Sequence, residues 1–135
     1  MRPSWDEYGL ALAQTASLRG DCRRSKVGAV LMSTDHRIAA TGYNGYPPNG
    51  PSCLAGQCPR GLLPYSEVPA GSSYAGNCSA LHAEHNAILY ADVHRRRGAT
   101  LYVTREPCNG CRRIIERNEI SRVVWPGGEY LVGRS

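Results

Sequence analysis

The first third of the chain changes from a helical to a strand-like spacing of its apolar positions. Ser4 followed three residues later by Glu7 has the pattern of a capping box. Apolar residues then recur every three or four positions, which predicts a helix that ends near Arg19. Two short runs typical of strands follow at 27–32 and 37–43, separated by Ser-Thr-Asp-His. This arrangement predicts a β-hairpin.

The second half of the chain alternates between helical and strand patterns. Residues 82–92 and 109–118 are predicted to be helices, and 100–104 and 122–125 are predicted to be buried strands. The complete order, α-β-β-α-β-α-β, is typical of an α/β protein. A chain of 135 residues fits one domain, so we expect residues 1–135 to form a single unit.

A long segment rich in glycine and proline, 44–79, separates the two halves. Loops of such length are usually functional or disordered. Three cysteines, Cys53, Cys58 and Cys78, lie within this segment. Cysteine side chains can anchor a loop, so they favour an ordered loop over a flexible linker.

Composition excludes several classes of protein. The hydrophobic share of 41% and charged share of 20% are ordinary for a soluble domain, and no apolar run approaches the roughly 20 residues of a membrane span. Acidic residues near the N-terminus are not typical of a secretory signal. Six cysteines in such a chain indicate a reducing, cytoplasmic compartment and favour metal binding or catalysis over disulfides.

The net charge of +5 indicates an anionic partner but does not identify one. The 16 basic residues are scattered along the chain, and no basic stripe lined by aromatic residues is visible. A nucleic-acid partner is therefore disfavoured, and a small phosphorylated substrate would need only two or three of these cations.

Chemistry concentrates at the starts of two predicted helices. One begins with His82-Ala83-Glu84, and the other begins with Pro107-Cys108-Asn109-Gly110-Cys111 directly after a strand. Helix N-termini stabilise thiolates, and two cysteines spaced Cys-x-x-Cys there bring both sulfurs to one point. With the histidine they supply three zinc ligands, which leaves a fourth position open for water, as in catalytic zinc sites.

Glu84 lies two residues after the histidine and is the candidate for proton transfer. Deamination of an aminopyrimidine needs a proton removed from water and protons delivered to the ring nitrogen and to departing ammonia. A Cys-x-x-Cys motif alone is common in structural zinc sites, but His-x-Glu combined with Pro-Cys-x-x-Cys is the signature of zinc-dependent nucleobase deaminases.

The sequence resembles the cytidine deaminase superfamily and, within it, the deoxycytidylate (dCMP) deaminases. The zinc motifs specify the superfamily, whereas Gly-Tyr-Asn-Gly at 42–45, followed by a proline-bearing turn, points to deoxycytidylate. Cys-Arg-Arg-Ser-Lys-Val-Gly at 22–28, Asn-Ala-Ile at 86–88 and Leu-Tyr-Val-Thr at 101–104 extend the match.

The resemblance implies a three-layer α/β/α fold with a mixed central sheet of four to five strands, and the conversion of dCMP to dUMP and ammonia. Asn44 matches a position that contacts the nucleotide, and the backbone N–H of Ala83 matches a donor that reads the base. Ser25 and Lys26 are candidates for the phosphate, although Lys26 is equally explained as an exposed residue at a strand end. The resemblance also implies a homo-oligomer, dCTP and dTTP as effectors, and Mg²⁺ with a nucleotide effector.

Four cysteines remain after the catalytic pair, and four is a full tetrahedral set. Some bacterial and phage relatives carry a structural zinc beside the long loop, so the resemblance implies a second zinc ion held by Cys22, Cys53, Cys58 and Cys78. Buried free thiols or disulfides are the alternatives. Two positions depart from the family pattern: His85 replaces an apolar residue or glutamine, and Glu119 replaces a glycine. His85 is not expected to be a further ligand.

Three functions compete with dCMP deamination. The enzyme could act on another cytosine nucleoside or nucleotide, or on a base in RNA. A non-catalytic zinc module could instead combine Cys53, Cys58, Cys108 and Cys111 in one structural site, but Glu84 would then have no task.

Overall fold

Five strands form one mixed sheet in a computed structural model that describes residues 1–22, 24–46, 49–57 and 80–133. The strands lie in the order β2-β1-β3-β4-β5; β3 and β4 are parallel, and the other neighbouring pairs are antiparallel. In these residues the elements are α1 (Trp5–Ser17), β1 (Gly28–Met32), β2 (Ile38–Tyr43), α2 (Ala83–Tyr90), α3 (Val93–Arg96), β3 (Thr100–Val103), α4 (Asn109–Arg117), β4 (Arg122–Trp125) and β5 (Gly128–Leu131).

The two faces of the sheet are both covered. Successive side chains of a strand point to opposite faces. In the central strand β1, Ala29 and Leu31 accordingly pack with α2 and α4, whereas Val30 and Met32 pack on the side of α1. This arrangement confirms the three-layer α/β/α fold with a mixed sheet.

Helix α1 is fixed at its start by the capping box that the sequence predicts. The Ser4 hydroxyl accepts from the Glu7 backbone N–H at 3.1 Å, and the Glu7 carboxylate accepts from the Ser4 N–H at 2.9 Å. Asp6 then joins the helix to the sheet, because its carboxylate accepts from the Tyr102 hydroxyl at 2.7 Å and from two nitrogens of Arg122 at 2.8 and 2.6 Å.

The structure departs from the sequence prediction at two element boundaries. The predicted helix 82–92 is interrupted, because Ala91 adopts an extended conformation and Asp92 caps the separate short helix α3. The expected sheet of four to five strands allows for β5, but the strand patterns of the sequence do not locate it. It continues from β4 through Pro126 and Gly127, with Trp125 paired with Gly128.

Glu119, which departs from the family's glycine, has a left-handed backbone with φ of 62°. This conformation is unfavourable for a residue with a side chain. Its carboxylate bonds to Arg97 at 2.7 Å, and its carbonyl accepts from the Gly98 N–H at 2.8 Å. The backbone at this position explains why glycine suits it.

None of the helices within the described residues is long and apolar enough to cross a membrane.

Candidate metal centre

Two helix N-termini meet at the carboxyl end of β3 and carry the predicted zinc ligands. His82 is the N-cap residue of α2 and Cys108 is the N-cap residue of α4, and neither side chain forms a capping hydrogen bond. Cys111 lies in the first turn of α4 and is fully buried. Both caps are extended, with ψ of 157° and 169°, so each helix begins directly after its ligand.

The three side chains come within coordination distance of one point. The Nδ1 atom of His82 lies 3.2 Å from the Sγ atom of Cys111 and 3.5 Å from that of Cys108. All three ligand atoms lie within 4.8 Å of one another. Tetrahedral zinc with bonds of about 2.0 to 2.3 Å places nitrogen and sulfur ligands about 3.5 Å apart, so this donor set fits Zn²⁺.

Glu84 is buried beside this cluster, with 4% of its surface exposed. Burial raises the pKa of its carboxyl above the ordinary value. Its own backbone N–H, a hydrogen bond with Cys111 and the nearby Arg105 guanidinium act in the opposite direction. A carboxyl group in this position can both accept and release a proton next to the metal site.

The cluster contains His82, Cys108 and Cys111 and, within the described part of the chain, no further histidine, cysteine or carboxylate. His85 is thus outside it, as expected. The non-catalytic arrangement needs Cys53 with Cys108 and Cys111, but the residue that accompanies those two cysteines is His82.

Asn44 lies near the start of β1 and holds the segment that carries the two phosphate candidates. Its Oδ1 atom accepts from the Val27 N–H at 2.9 Å, and its Nδ2 atom donates to the Ser25 carbonyl at 2.9 Å. Lys26 lies between these two anchored residues. The side chain of Asn44 therefore fixes the backbone on which Ser25 and Lys26 are placed.

Ala83 is the first residue of α2 and is fully buried between His82 and Glu84. The first N–H groups of a helix have no acceptor within the helix. The N–H of Ala83 is thus placed to donate to a ligand at the same helix terminus that carries the metal cluster.

Asn86 is a positioning residue to which sequence reasoning gave no role. Its Nδ2 atom donates to the Tyr43 carbonyl at 2.8 Å and approaches the carbonyls of Gly45 and Leu81, each at 3.4 Å. Gly45 and Leu81 also exchange two backbone hydrogen bonds of 3.0 and 3.1 Å. The end of β2 is thereby attached to the residue that precedes His82. The signal for Asn86 in the sequence was its place in the Asn-Ala-Ile motif at 86–88, which extends the family match.

Tyr130 also escaped prediction, because it lies on β5. Burial raises the pKa of its hydroxyl, the Arg112 charge acts in the opposite direction, and the charges of Glu116, Glu84 and Cys111 contribute in the same direction as burial. The Arg112 guanidinium stacks over its ring at 4.5 Å. The hydroxyl is buried and has no hydrogen-bond partner within the described residues. Tyr130 therefore adds a buried polar group near the centre.

Of the four cysteines predicted to hold a second zinc ion, the structure describes Cys22 and Cys53. Cys53 is buried, and Cys22 accepts from the Arg24 N–H at 3.4 Å. Asp21 connects their two segments, since its carboxylate accepts from the Ser52 hydroxyl and the Leu54 N–H, both at 2.9 Å. The other two predicted ligands, Cys58 and Cys78, and most of the loop 44–79 lie outside the described residues.

A separate cavity of about 490 Å³ lies on the α1 face of the sheet. It is lined by the start of α1, the turn after β1 and the Asp6–Arg122 pair. None of the three cluster residues lines it, so this cavity is not part of the metal centre.

Comparison with known proteins agrees with this geometry. Residues 3–126 match the model of the cytidine and deoxycytidylate deaminase zinc-binding region. A deoxycytidylate deaminase of Mycobacterium phage D29 is 51% identical over 128 residues, covering 93% of this chain and 96% of the phage protein. The deoxycytidylate deaminase of Saccharomyces cerevisiae is 40% identical over 126 residues, and the chain spans 38% of its length.

Solved structures give the same result. The dCMP deaminase of cyanophage S-TIM5, solved in complex with dCMP and dUMP, is similar to this chain with a TM-score of 0.64 and 26% identity. The match covers 93% of this chain and 82% of the cyanophage chain. The family model matches most of this chain, and the three candidate ligand residues lie together at two helix starts. This chain therefore belongs to the cytidine and deoxycytidylate deaminase zinc-binding family.

Proposed function

We propose that this chain catalyses the zinc-dependent hydrolytic deamination of dCMP to dUMP and ammonia. The observation that carries the reaction type is the cluster of His82, Cys108 and Cys111 with the buried carboxyl of Glu84 beside it. The choice of dCMP is supported by the 51% identity with a phage deoxycytidylate deaminase across 93% of the chain.

In this reaction the bond between C4 and the amino nitrogen of cytosine breaks, and a bond from C4 to the oxygen of water forms. Of the two protons of that water, one goes to ring nitrogen N3 and the other leaves with ammonia. Zinc, when bound by the three ligands, lowers the pKa of a coordinated water toward neutrality. Glu84 moves the protons, and its burial keeps bulk water from competing for them.

The remaining site residues have proposed roles in binding. The N–H of Ala83 donates to the base, and Asn44 contacts the nucleotide while it holds the segment 25–27 in place. Ser25 and Lys26 contact the phosphate. These roles of Ser25 and Lys26 are supported by the resemblance to the family motif and by the anchored backbone of the two residues near β1.

Several finer features complete the proposal. A second, structural zinc is held by Cys22, Cys53, Cys58 and Cys78, supported by the bonds of Asp21 that join the first two segments. The chain acts as one deaminase domain, residues 1–135, in a cytoplasmic homo-oligomer, and dCTP and dTTP act as effectors with Mg²⁺. Elemental analysis of metal-replete protein should give two zinc ions per chain, and a reproducible value of one would contradict the second site.

The reaction is tested by comparing kcat/KM for dCMP, CMP, deoxycytidine and cytidine in one buffer with zinc present. A site that holds a phosphate leaves charged donors unpaired when a nucleoside binds, and each such bond is worth about 1.5 to 3 kcal/mol. Two bonds predict a preference of more than about a hundredfold for dCMP over deoxycytidine. Equal use of the nucleosides would favour the alternative of a cytidine deaminase.

Removing one candidate zinc ligand tests whether the zinc site is catalytic or purely structural. Cys108→Ser should lose both zinc and turnover, because it removes one of three ligands. If Cys108→Ser retained full activity, or if the parent protein bound zinc but deaminated no cytosine compound, the catalytic interpretation would be wrong. A panel that includes RNA would identify the remaining alternative.

A further inference from the structure

Arg105 is an exposed cation three residues before the zinc ligand Cys108. Within residues 1–22, 24–46, 49–57 and 80–133 it forms no salt bridge. The adjacent charged residue does have a partner, because Glu106 forms a salt bridge with Arg112 at 3.4 Å. Arg112 is further held by the Pro107 carbonyl at 3.3 Å and by the Tyr130 ring. Arg112 therefore has a structural role, whereas the charge of Arg105 is left for another anion.

The backbone places Arg105 beside the segment that carries Lys26. Thr104 donates its N–H to the Gly28 carbonyl at 3.0 Å and accepts from the Gly28 N–H through its Oγ1 atom at 3.1 Å. These bonds continue the antiparallel pairing of β1 with β3. Arg105 follows Thr104 and lies two residues past the end of β3, at the edge where β1 begins. Arg105, just after β3, and Lys26, just before β1, thus lie at the same end of the sheet.

This end of the sheet is also the end that carries the metal cluster. Cys108, three residues after Arg105, is the N-cap residue of α4 and belongs to the cluster with His82 and Cys111. An exposed arginine without a salt-bridge partner in the described residues, on the segment that leads to the metal cluster, favours the approach of an anionic substrate. Its planar guanidinium can also bind two oxygens of one phosphate.

We propose that Arg105 binds the phosphate of the nucleotide substrate and is a specificity-determining residue for nucleotides over nucleosides. The proposal rests on the proposed function, because it assigns one more contact within the same site. Arg105 then supplies a bidentate contact, and Lys26 supplies a second charge from the segment before β1. The alternative role is an effect on Glu84 alone, which would alter every substrate equally.

The experiment compares Arg105→Gln, Arg105→Lys and the parent enzyme on dCMP and on deoxycytidine. Arg117→Gln is the matched control, since it removes the same charge from the last turn of α4, about 12 Å along the helix from Asn109. Thermal unfolding of all variants checks that each is folded. Inorganic phosphate is included as a competitive inhibitor, which reports on anion binding without turnover of a nucleotide.

We expect Arg105→Gln to lower kcat/KM for dCMP by about 10- to 100-fold, mainly through KM, and to weaken inhibition by phosphate. Deoxycytidine should change by no more than about twofold, Arg105→Lys should recover part of the loss, and Arg117→Gln should leave both substrates unchanged. Equal losses for dCMP and deoxycytidine, or no loss for either, would overturn the role of Arg105. A parent enzyme that prefers deoxycytidine would instead overturn the proposed function itself.

Discussion

Strand β2 approaches helix α2 closely at Gly42. A Cβ atom at this position would lie 2.4 Å from the Ala83 carbonyl oxygen and 2.5 Å from the Ala87 nitrogen. Both atoms belong to the backbone of α2, so no side-chain rotation can relieve the contact. The substitution Gly42→Ala therefore tests whether this packing positions the catalytic residues.

The size of the effect follows from these distances. An ordinary contact begins at 3.4 Å, so α2 and β2 must separate by about 1 Å at this point. Overpacking of this kind costs about 1 to 3 kcal/mol, and the lower entropy of the unfolded alanine chain offsets less than about 1 kcal/mol. We expect the free energy of unfolding to fall by about 2 kcal/mol.

The same displacement should reach the chemistry, because Ala83 lies between His82 and Glu84. A misplacement of about 1 Å in a catalytic group can cost about a hundredfold in rate. Urea denaturation and kcat/KM for dCMP, measured on the zinc-loaded variant, report the two effects separately. Gly133→Ala is the control, since nothing lies within 4 Å of its added Cβ atom. If Gly42→Ala matched both the stability and the activity of the parent, the packing argument would be refuted.

Three further substitutions test individual contacts. Glu84→Gln should retain zinc and fold but lower kcat by about a hundredfold or more, because it removes the proton carrier, and a loss of only a few-fold would exclude that role. Asp6→Asn should lower the free energy of unfolding at pH 7 by about 1 kcal/mol. The stability difference between Asp6→Asn and the parent should decrease in acid, because hydrogen bonds from Arg122 lower the pKa of Asp6. The stabilisation by Asp6 is present above the ordinary pKa of an aspartate and is lost as the pH falls through the lowered pKa. Urea denaturation that showed the same deficit at pH 7 and pH 3 would contradict this reasoning. Asn86→Ala should cost about 1 to 3 kcal/mol and reduce zinc retention during dialysis against a chelator, whereas unchanged retention would show that Asn86 does not position His82.

Local signals in the sequence predicted most elements correctly. The capping box at Ser4 and Glu7 fixed the start of α1, because both of its bonds form within four residues. Strand β5 was missed because Gly-Glu-Tyr-Leu shows no strong alternation of apolar residues. A turn signal was nevertheless present: Pro126 and Gly127 connect β4 to β5, and Gly127 has the positive φ of 90° that such a turn requires.

The candidate site likewise contains some residues that short sequence motifs predict and others whose contacts appear only in the fold. The cluster of His82, Cys108 and Cys111 could be predicted because each half of it is a short motif at a helix start. The contacts of Asn86 and Tyr130 could not be predicted, because each depends on a partner far away in sequence. Tyr130, for example, reaches the centre only through the pairing of β5 with β4. Asn44 was recognised from its motif, but its bonds to the backbone at 25 and 27 appear only in the fold.

The two halves of the metal centre are assembled by different means. Helix α4 connects the parallel strands β3 and β4, so its N-terminus, with Cys108, must lie at the carboxyl end of β3. A crossover of this kind has one preferred hand, which places α4 on a defined face of the sheet. No such rule places His82, because α2 follows a long segment after the antiparallel strand β2. Its position depends instead on the close approach at Gly42 and the bonds of Asn86, so damage there should separate the histidine from the cysteines without altering any ligand.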